Sequence, residues 1–228
     1  MATYTWPGFT VDHFELRLKP NLRNFVGPYT PAVQSVDLLG ERWAAKVTIT
    51  LTSDAVEGGA REAFWDRLRG QVNSVALWHL KRPQPAGTMR GSVAAGWRTG
   101  GGSAAVWSGS GGTAVWQAGD PVVHQAIPQL AGTGTIRMLP GKTLLAGDHI
   151  NLGGAQLVRC MANAVADSAG LAEVEFQPRA RQTIPANTAV LWDHPTATFI
   201  LAPGTDGVPT AYRPGVIDGA SVDLIETF

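Results

Sequence analysis

The sequence predicts a mainly β protein: an antiparallel β-sandwich with one short helix, carrying an inserted small antiparallel β domain. Three observations predict it. Apolar and polar residues alternate with a period of two in several separate runs, one segment alone has helical spacing, and 27 glycines and 15 prolines among 228 residues punctuate the chain at short intervals.

Val11 to Leu18 opens the pattern, with Phe14, Leu16 and Leu18 on one face and His13, Glu15 and Arg17 on the other, until Pro20-Asn21 stops the run. From Ala44 to Leu51, the residues Ala45, Val47, Ile49 and Leu51 alternate with Lys46, Thr48 and Thr50, as a sheet with one wet face requires. Ala32–Leu39 is the expected hairpin partner of this strand, with Gly40-Glu41 as the turn. Asp54, with Glu57 three positions on, caps a helix that starts there or restarts at Gly59, because two glycines follow at once. The expected inner face is Ala60, Ala63, Phe64 and Leu68, the outer face Arg61, Glu62, Asp66 and Arg69, and Gly70 the left-handed stop. Val75–Leu80 reads as the next strand, ended by Arg82-Pro83-Gln84-Pro85, since proline cannot donate to a ladder.

Composition shifts near Pro85. Residues 91–119 are glycine-rich yet hold Trp97, Trp107 and Trp116, which a flexible linker would not contain, so a hairpin is expected. AAVW and TAVW flank the tip SGSGG and would bring Trp107 and Trp116 together. Residues 136–192 read as a β module: strands HINL, AQLVRCMANAV and LAEVEF, with turns at Gly147-Asp148, Gly153-Gly154 and DSAG. Ala189–Trp192 and Thr196–Leu201 add strands on either side of Asp193-His194-Pro195, and Ser221–Phe228 is expected at a sheet edge.

The chemistry-bearing residues are scattered. Five histidines stand at large spacings with no i, i+4 pair, no G-x-S-x-G elbow exposes a serine, and the glycine pairs precede no helix that would present N–H groups to a phosphate. Glu173 and Glu175 lie about 6–7 Å apart on one strand face, an ordinary solvated spacing. Cys160 reads as a small buried hydrophobe and has no partner for an intramolecular disulfide. No catalysis, metal or cofactor is expected. Eighteen Lys+Arg against 18 Asp+Glu leave no basic excess for tight nucleic-acid binding. No apolar run nears the roughly 20 residues of a membrane span, and MATYTWPGFT has neither the n-region nor the h-region of a signal peptide. Trp43, Trp65, Trp78 and Trp192 are expected in cores, leaving Trp6, Trp97, Trp107 and Trp116 for contact surfaces. Such residues serve protein interfaces and sugar stacking alike. Fourteen arginines against four lysines lean toward interfaces.

The run WPGFTVDHFELRLKPNLRNFVGPYTPAVQSVDLLGERWAAKVTITL, then EAFWDRLRG, ALWHLKRPQPAGTMRG, LLAGDHINLGG, the DSAG turn, EFQPRARQTIPANTAVLW and HPTATFIL resemble bacteriophage distal tail proteins. The resemblance covers most of the chain and is weakest over residues 93–129. It implies a hexameric ring at the distal end of the tail tube, joined to the tube protein and to the tail hub and tip. It also implies residence in the virion, with assembly in the host cytoplasm. Residues 1–83 and 195–228 would form the ring-forming sandwich, and residues 84–194 the projecting domain. Closing a ring head to tail needs two different patches on each copy, and the extended stretches around Tyr4, Trp6, Phe9, Phe25 and Tyr29 are the candidates for them. Trp97, Trp107 and Trp116 are the candidates for the projecting surface. The alternative is a carbohydrate-binding adhesion module that meets a host surface glycan through those tryptophans.

Overall fold

The computed structural model describes residues 2–26, 33–38, 40–69, 71–89, 96–99, 114–117, 121–154, 156–203, 212–213, 216–217 and 219–227. In chain order these form β1 (Thr3–Thr5), β2 (Val11–Lys19), β3 (Leu22–Val26), β4 (Val33–Asp37), β5 (Arg42–Ile49), α1 (Ala55–Leu68) and β6 (Ser74–Leu77). There follow β7 (Gly96–Thr99), β8 (Ala114–Gln117), β9 (Val122–Val123), β10 (Thr133–Arg137), β11 (Thr143–Leu144), β12 (His149–Leu152), β13 (Gln156–Cys160), β14 (Ala164–Val165), β15 (Leu171–Gln177) and β16 (Val190–Leu191). The last four are β17 (Ala197–Leu201), β18 (Tyr212–Arg213), β19 (Val216–Ile217) and β20 (Ser221–Glu226). The chain is mainly β and sandwich-like, with one helix and several antiparallel sheets, as the alternation predicts. It divides into two compact units, Met1–Pro83 with Thr196–Phe228, and Gln84–Pro195.

The first unit is built on a six-stranded sheet of order β1-β6-β17-β20-β5-β2. Period-two patterning makes its buried face: Trp43, Ala45, Val47 and Ile49 on β5, Val222 and Leu224 on β20, Phe199 and Leu201 on β17. The pairing differs from expectation in two places. β4 pairs with β3 as a separate two-stranded ribbon, because both sides of β5 are taken by β2 and β20. The Leu38 amide closes the base of that ribbon on the Asn21 carbonyl at 2.9 Å. β20, expected at an edge, is central, because its alternating Val222 and Leu224 need a buried face. Gly219 leads into it where a Cβ would lie 2.2 Å from the Ile49 carbonyl oxygen. Leu51, expected inward, lies past the end of β5 and is 61% exposed.

Asp54 caps α1 by accepting the Val56 amide at 2.8 Å, and the helix runs unbroken through Gly58 and Gly59. The buried face is Gly58, Arg61, Phe64, Trp65 and Leu68, so Ala60 and Ala63 turn outward and Arg61, expected outside, turns in. Arg61 tolerates 4% exposure because Glu57 lies at 2.7 Å and the Thr50 carbonyl accepts its second nitrogen at 2.5 Å. Arg69, at φ 45, makes the left-handed stop, and the expected Gly70 stop lies outside the described residues. β6 ends at Leu77, short of the expected Leu80.

The second unit holds a six-stranded sheet of order β16-β12-β13-β15-β10-β9. Its two ends meet: Val122 bridges Ala189, the Val123 amide donates to the Thr188 carbonyl at 2.8 Å, and the Val190 amide donates to the Pro121 carbonyl at 2.9 Å. The small β domain is therefore a closed barrel, which removes the edges that an open sheet exposes. Ile136, Ile150, Leu152, Val158, Val174 and Phe176 fill it. The expected long strand AQLVRCMANAV breaks after Cys160, where the Met161 amide reaches the Glu175 carbonyl and Ala164–Val165 turns away to pair with β11. β8 pairs with β7, with Trp97 in register with Trp116, whereas AAVW, the strand expected to pair with TAVW, and Trp107 within it lie outside the described residues.

Candidate functional site

Pro7, Gly8 and the residues around them carry the chain from β1 into β2 without regular structure, and aromatic packing holds this stretch in place. The Trp6 indole stands edge-on to Phe9, Phe64 and Trp65, with ring centroids 5.7, 5.8 and 6.2 Å away. Edge-to-face pairs of this kind contribute about 0.5–1.5 kcal/mol each beyond their burial. Trp6 is only 4% exposed, so the residue expected at a contact surface is instead an anchor that fixes the amino-terminal segment to α1. Its burial follows from Phe64 and Trp65, adjacent on the inner face of α1, which leave a socket that an indole fills.

Phe9 stays half-buried, with the Arg61 guanidinium carbon 5.9 Å from its ring centroid. Beside it opens a cleft of about 230 Å³, to which one segment contributes Trp6, Phe9 and Val11 and the other Trp78, Leu80 and Lys81. Gly8, at φ 79, also borders it and has no atom near the place of a Cβ, so the cleft mouth is open there. Lys81 is exposed and donates to the Val11 carbonyl at 2.9 Å, which caps the start of the edge strand β2. The arrangement is apolar and aromatic with one cation at its rim, suited to receiving an apolar side chain rather than to transferring protons.

Of the other expected contact residues, Tyr4 is half-buried on β1 in register with Val75. Phe25 stands opposite Gln34 on the β3–β4 ribbon, and Tyr29 lies outside the described residues. That ribbon pairs with no further strand among the described residues. Around its base Leu22, Val36 and Leu38 are 44–49% exposed. The cleft escaped sequence reasoning because its two segments are some 70 positions apart. The only local trace was a pair of aromatic-rich stretches, WPGF and ALWHL.

Burial shifts two of the titratable groups, Cys160 and His79. Burial pushes the Cys160 thiol up to about 12. Burial, aided by Arg82, holds His79 below its ordinary 6.5, where its ring meets Phe14 edge-on at 5.0 Å. Asp148, buried, accepts the amides of Ala86 at 2.7 Å, Gly87 at 3.1 Å and Leu145 at 2.8 Å, a clamp that the sequence showed only as a turn. Among the described residues no group of three or more His, Cys, Asp or Glu side chains is placed to hold a metal ion, and no helix is long and apolar enough to cross a membrane. No family model and no curated protein matches the chain.

Proposed function

We propose that this chain is a structural subunit of a bacteriophage tail. It forms a hexameric ring at the distal end of the tail tube and connects the tube protein to the hub and tip proteins. The observation that carries the reading is the β3–β4 ribbon, an arm with exposed Leu22, Val36 and Leu38 at its base and no further strand to pair with among the described residues of its own unit. Apolar surface of this kind is buried by assembly in obligate oligomers. The resemblance of the sequence to distal tail proteins supports the same reading, and so does the zero net charge, which lets DNA pass a lumen without tight binding. In this reading the protein performs no chemistry, resides at the virion tail tip, and assembles in the host cytoplasm. Light scattering behind size exclusion tests it: the expected particle is a multiple of the 24.1 kDa protomer near the hexamer, and a monomer persisting at high concentration overturns the ring.

A second reading, a carbohydrate-binding adhesion module, is favoured by one observation, the register of the β7–β8 pair, which sets Trp97 opposite Trp116. Paired aromatic residues on a ribbon are a common platform for pyranose rings. Glycan-array binding that is lost in Trp97→Ala with assembly unchanged would establish it, and an array without binding would remove it.

A further inference from the structure

The middle of β2 is a bare sheet edge. The first unit's sheet ends on one side at β1, three residues long, and on the other at β2, which runs nine residues without a proline. Natural edges are blunted by shortness, bulges, lysine or proline, because bare N–H and C=O groups invite another strand. On β2 the blunting sits at the two ends: a register shift between Val11 and His13, the Lys81 ammonium on the Val11 carbonyl, and Lys19. Between them, Phe14 to Leu18 pairs only with β5 among the described residues.

The hydrogen-bond phase shows which groups are bare. The Ile49 amide donates to the Ala220 carbonyl, so the odd-numbered residues of β5 turn their polar groups toward β20 and the even-numbered ones toward β2. Ala44, Lys46 and Thr48 therefore bond to their register partners Arg17, Glu15 and His13. Phe14, Leu16 and Leu18 direct their amides and carbonyls away from the sheet. Their side chains carry the apolar face to the edge: Ala45 and Trp43, in register with Leu16 and Leu18, are at most 2% exposed, whereas the two leucines are half-buried. On the other face Glu15 and Arg17 flank Leu16, both exposed, in a loose ion pair of 3.9 Å.

We propose that β2 pairs antiparallel with β2 of a second copy of this chain, on a two-fold axis through Leu16. The charges select this partner and this register. About that axis, Glu15 of each copy faces Arg17 of the other, Leu16 faces Leu16, and Phe14 faces Leu18. The apolar pairs are the ones whose polar groups are bare, so about six backbone hydrogen bonds form. An axis at Glu15 or at Arg17 sets like charges against each other, and one at Leu18 sets Arg17 against Lys19. An axis at Phe14 runs into the register shift, and a slip by one residue turns leucines onto the charged face. The contact uses the same patch on both copies, so it is not the head-to-tail contact of the proposed ring. It goes beyond that reading and stands without it.

The test is a charge exchange on the full chain, read as mass by light scattering across a dilution series. The unaltered protein doubles its mass as concentration rises, whichever particle dilution leaves. Glu15→Arg makes the strand basic and Arg17→Glu makes it acidic, so each variant alone loses the doubling, with this association weakened about tenfold or more. The two variants mixed, or both changes on one chain, regain it. Leu16→Cys reads the axis itself. Residues opposed in such a pair have Cα atoms about 5.5 Å apart, within disulfide reach, so mild oxidation links two copies, whereas Leu18→Cys, which faces Phe14, stays unlinked. The native thiol, Cys160, is buried and does not compete. A mass that never doubles, charge variants that double like the unaltered protein, or linkage at position 18 as ready as at 16 overturns the proposal. The ring reading fails separately, on the particle that dilution leaves.

Discussion

His79 meets Phe14 edge-on at 5.0 Å and is half-buried, so its neutral form is favoured in the folded chain and its pKa is depressed by desolvation. The sign of the consequence is fixed. Below 6.5 the unfolded chain takes up a proton that the folded one refuses, so stability is full above 6.5 and declines as pH falls toward the folded value. Urea midpoints measured at pH 7.5 and 5.5 should drop for the unaltered protein and drop less for His79→Gln, and equal drops would contradict the assignment. Cys160 shows the opposite sign of the same cause: burial raises its pKa to about 12, which suppresses the thiolate. The native protein should therefore react with a thiol reagent only at the rate of unfolding, and a fast native reaction would contradict its placement in the barrel core.

Gly219 and Asp148 decide how two elements are seated. A methyl group at position 219 would meet the Ile49 carbonyl at 2.2 Å, a backbone atom that cannot step aside, so β20 would shift against β5. Gly219→Ala is expected to cost about 1–3 kcal/mol and lower the melting temperature by several degrees, and an unchanged melting temperature would contradict the central place of β20. Asp148→Asn replaces one acceptor oxygen with a donor that faces amide N–H groups, at an expected cost of about 1–3 kcal/mol. Calorimetry reads it directly, and a neutral outcome would mean the clamp on Ala86 and Gly87 carries nothing. The same elements show what was legible in the sequence. Alternation revealed β2, β5 and β15 because a strand with one buried face must repeat every two residues, whereas β12, buried at all four positions, and β17 were marked by the turns beside them. It was silent on partners, since nothing local to Ala32–Leu39 or Ser221–Phe228 says which strand lies alongside, and so both were misplaced. The inner face of α1 was rotated because Arg61 reads as an outer residue until Glu57 and the Thr50 carbonyl are found beside it. Closure of the barrel rests on backbone bonds of Pro121, Val123 and Thr188, which leave no mark on the side-chain pattern.

The molecule as a whole divides at Pro83 and Pro195, each beside a proline-containing run that interrupts strand pairing. One unit closes its six-stranded sheet into a barrel. The other keeps β2 at an edge, an aromatic cleft at one end of that strand and an apolar ribbon at the other. In the proposed reading, the 16% charged residues, the absence of net charge and this distribution of apolar surface serve assembly. Electron microscopy of the purified protein in negative stain tests the central claim most directly. The account predicts annular particles with a central hole and repeated subunits around it; solitary particles of protomer size at every concentration would contradict it.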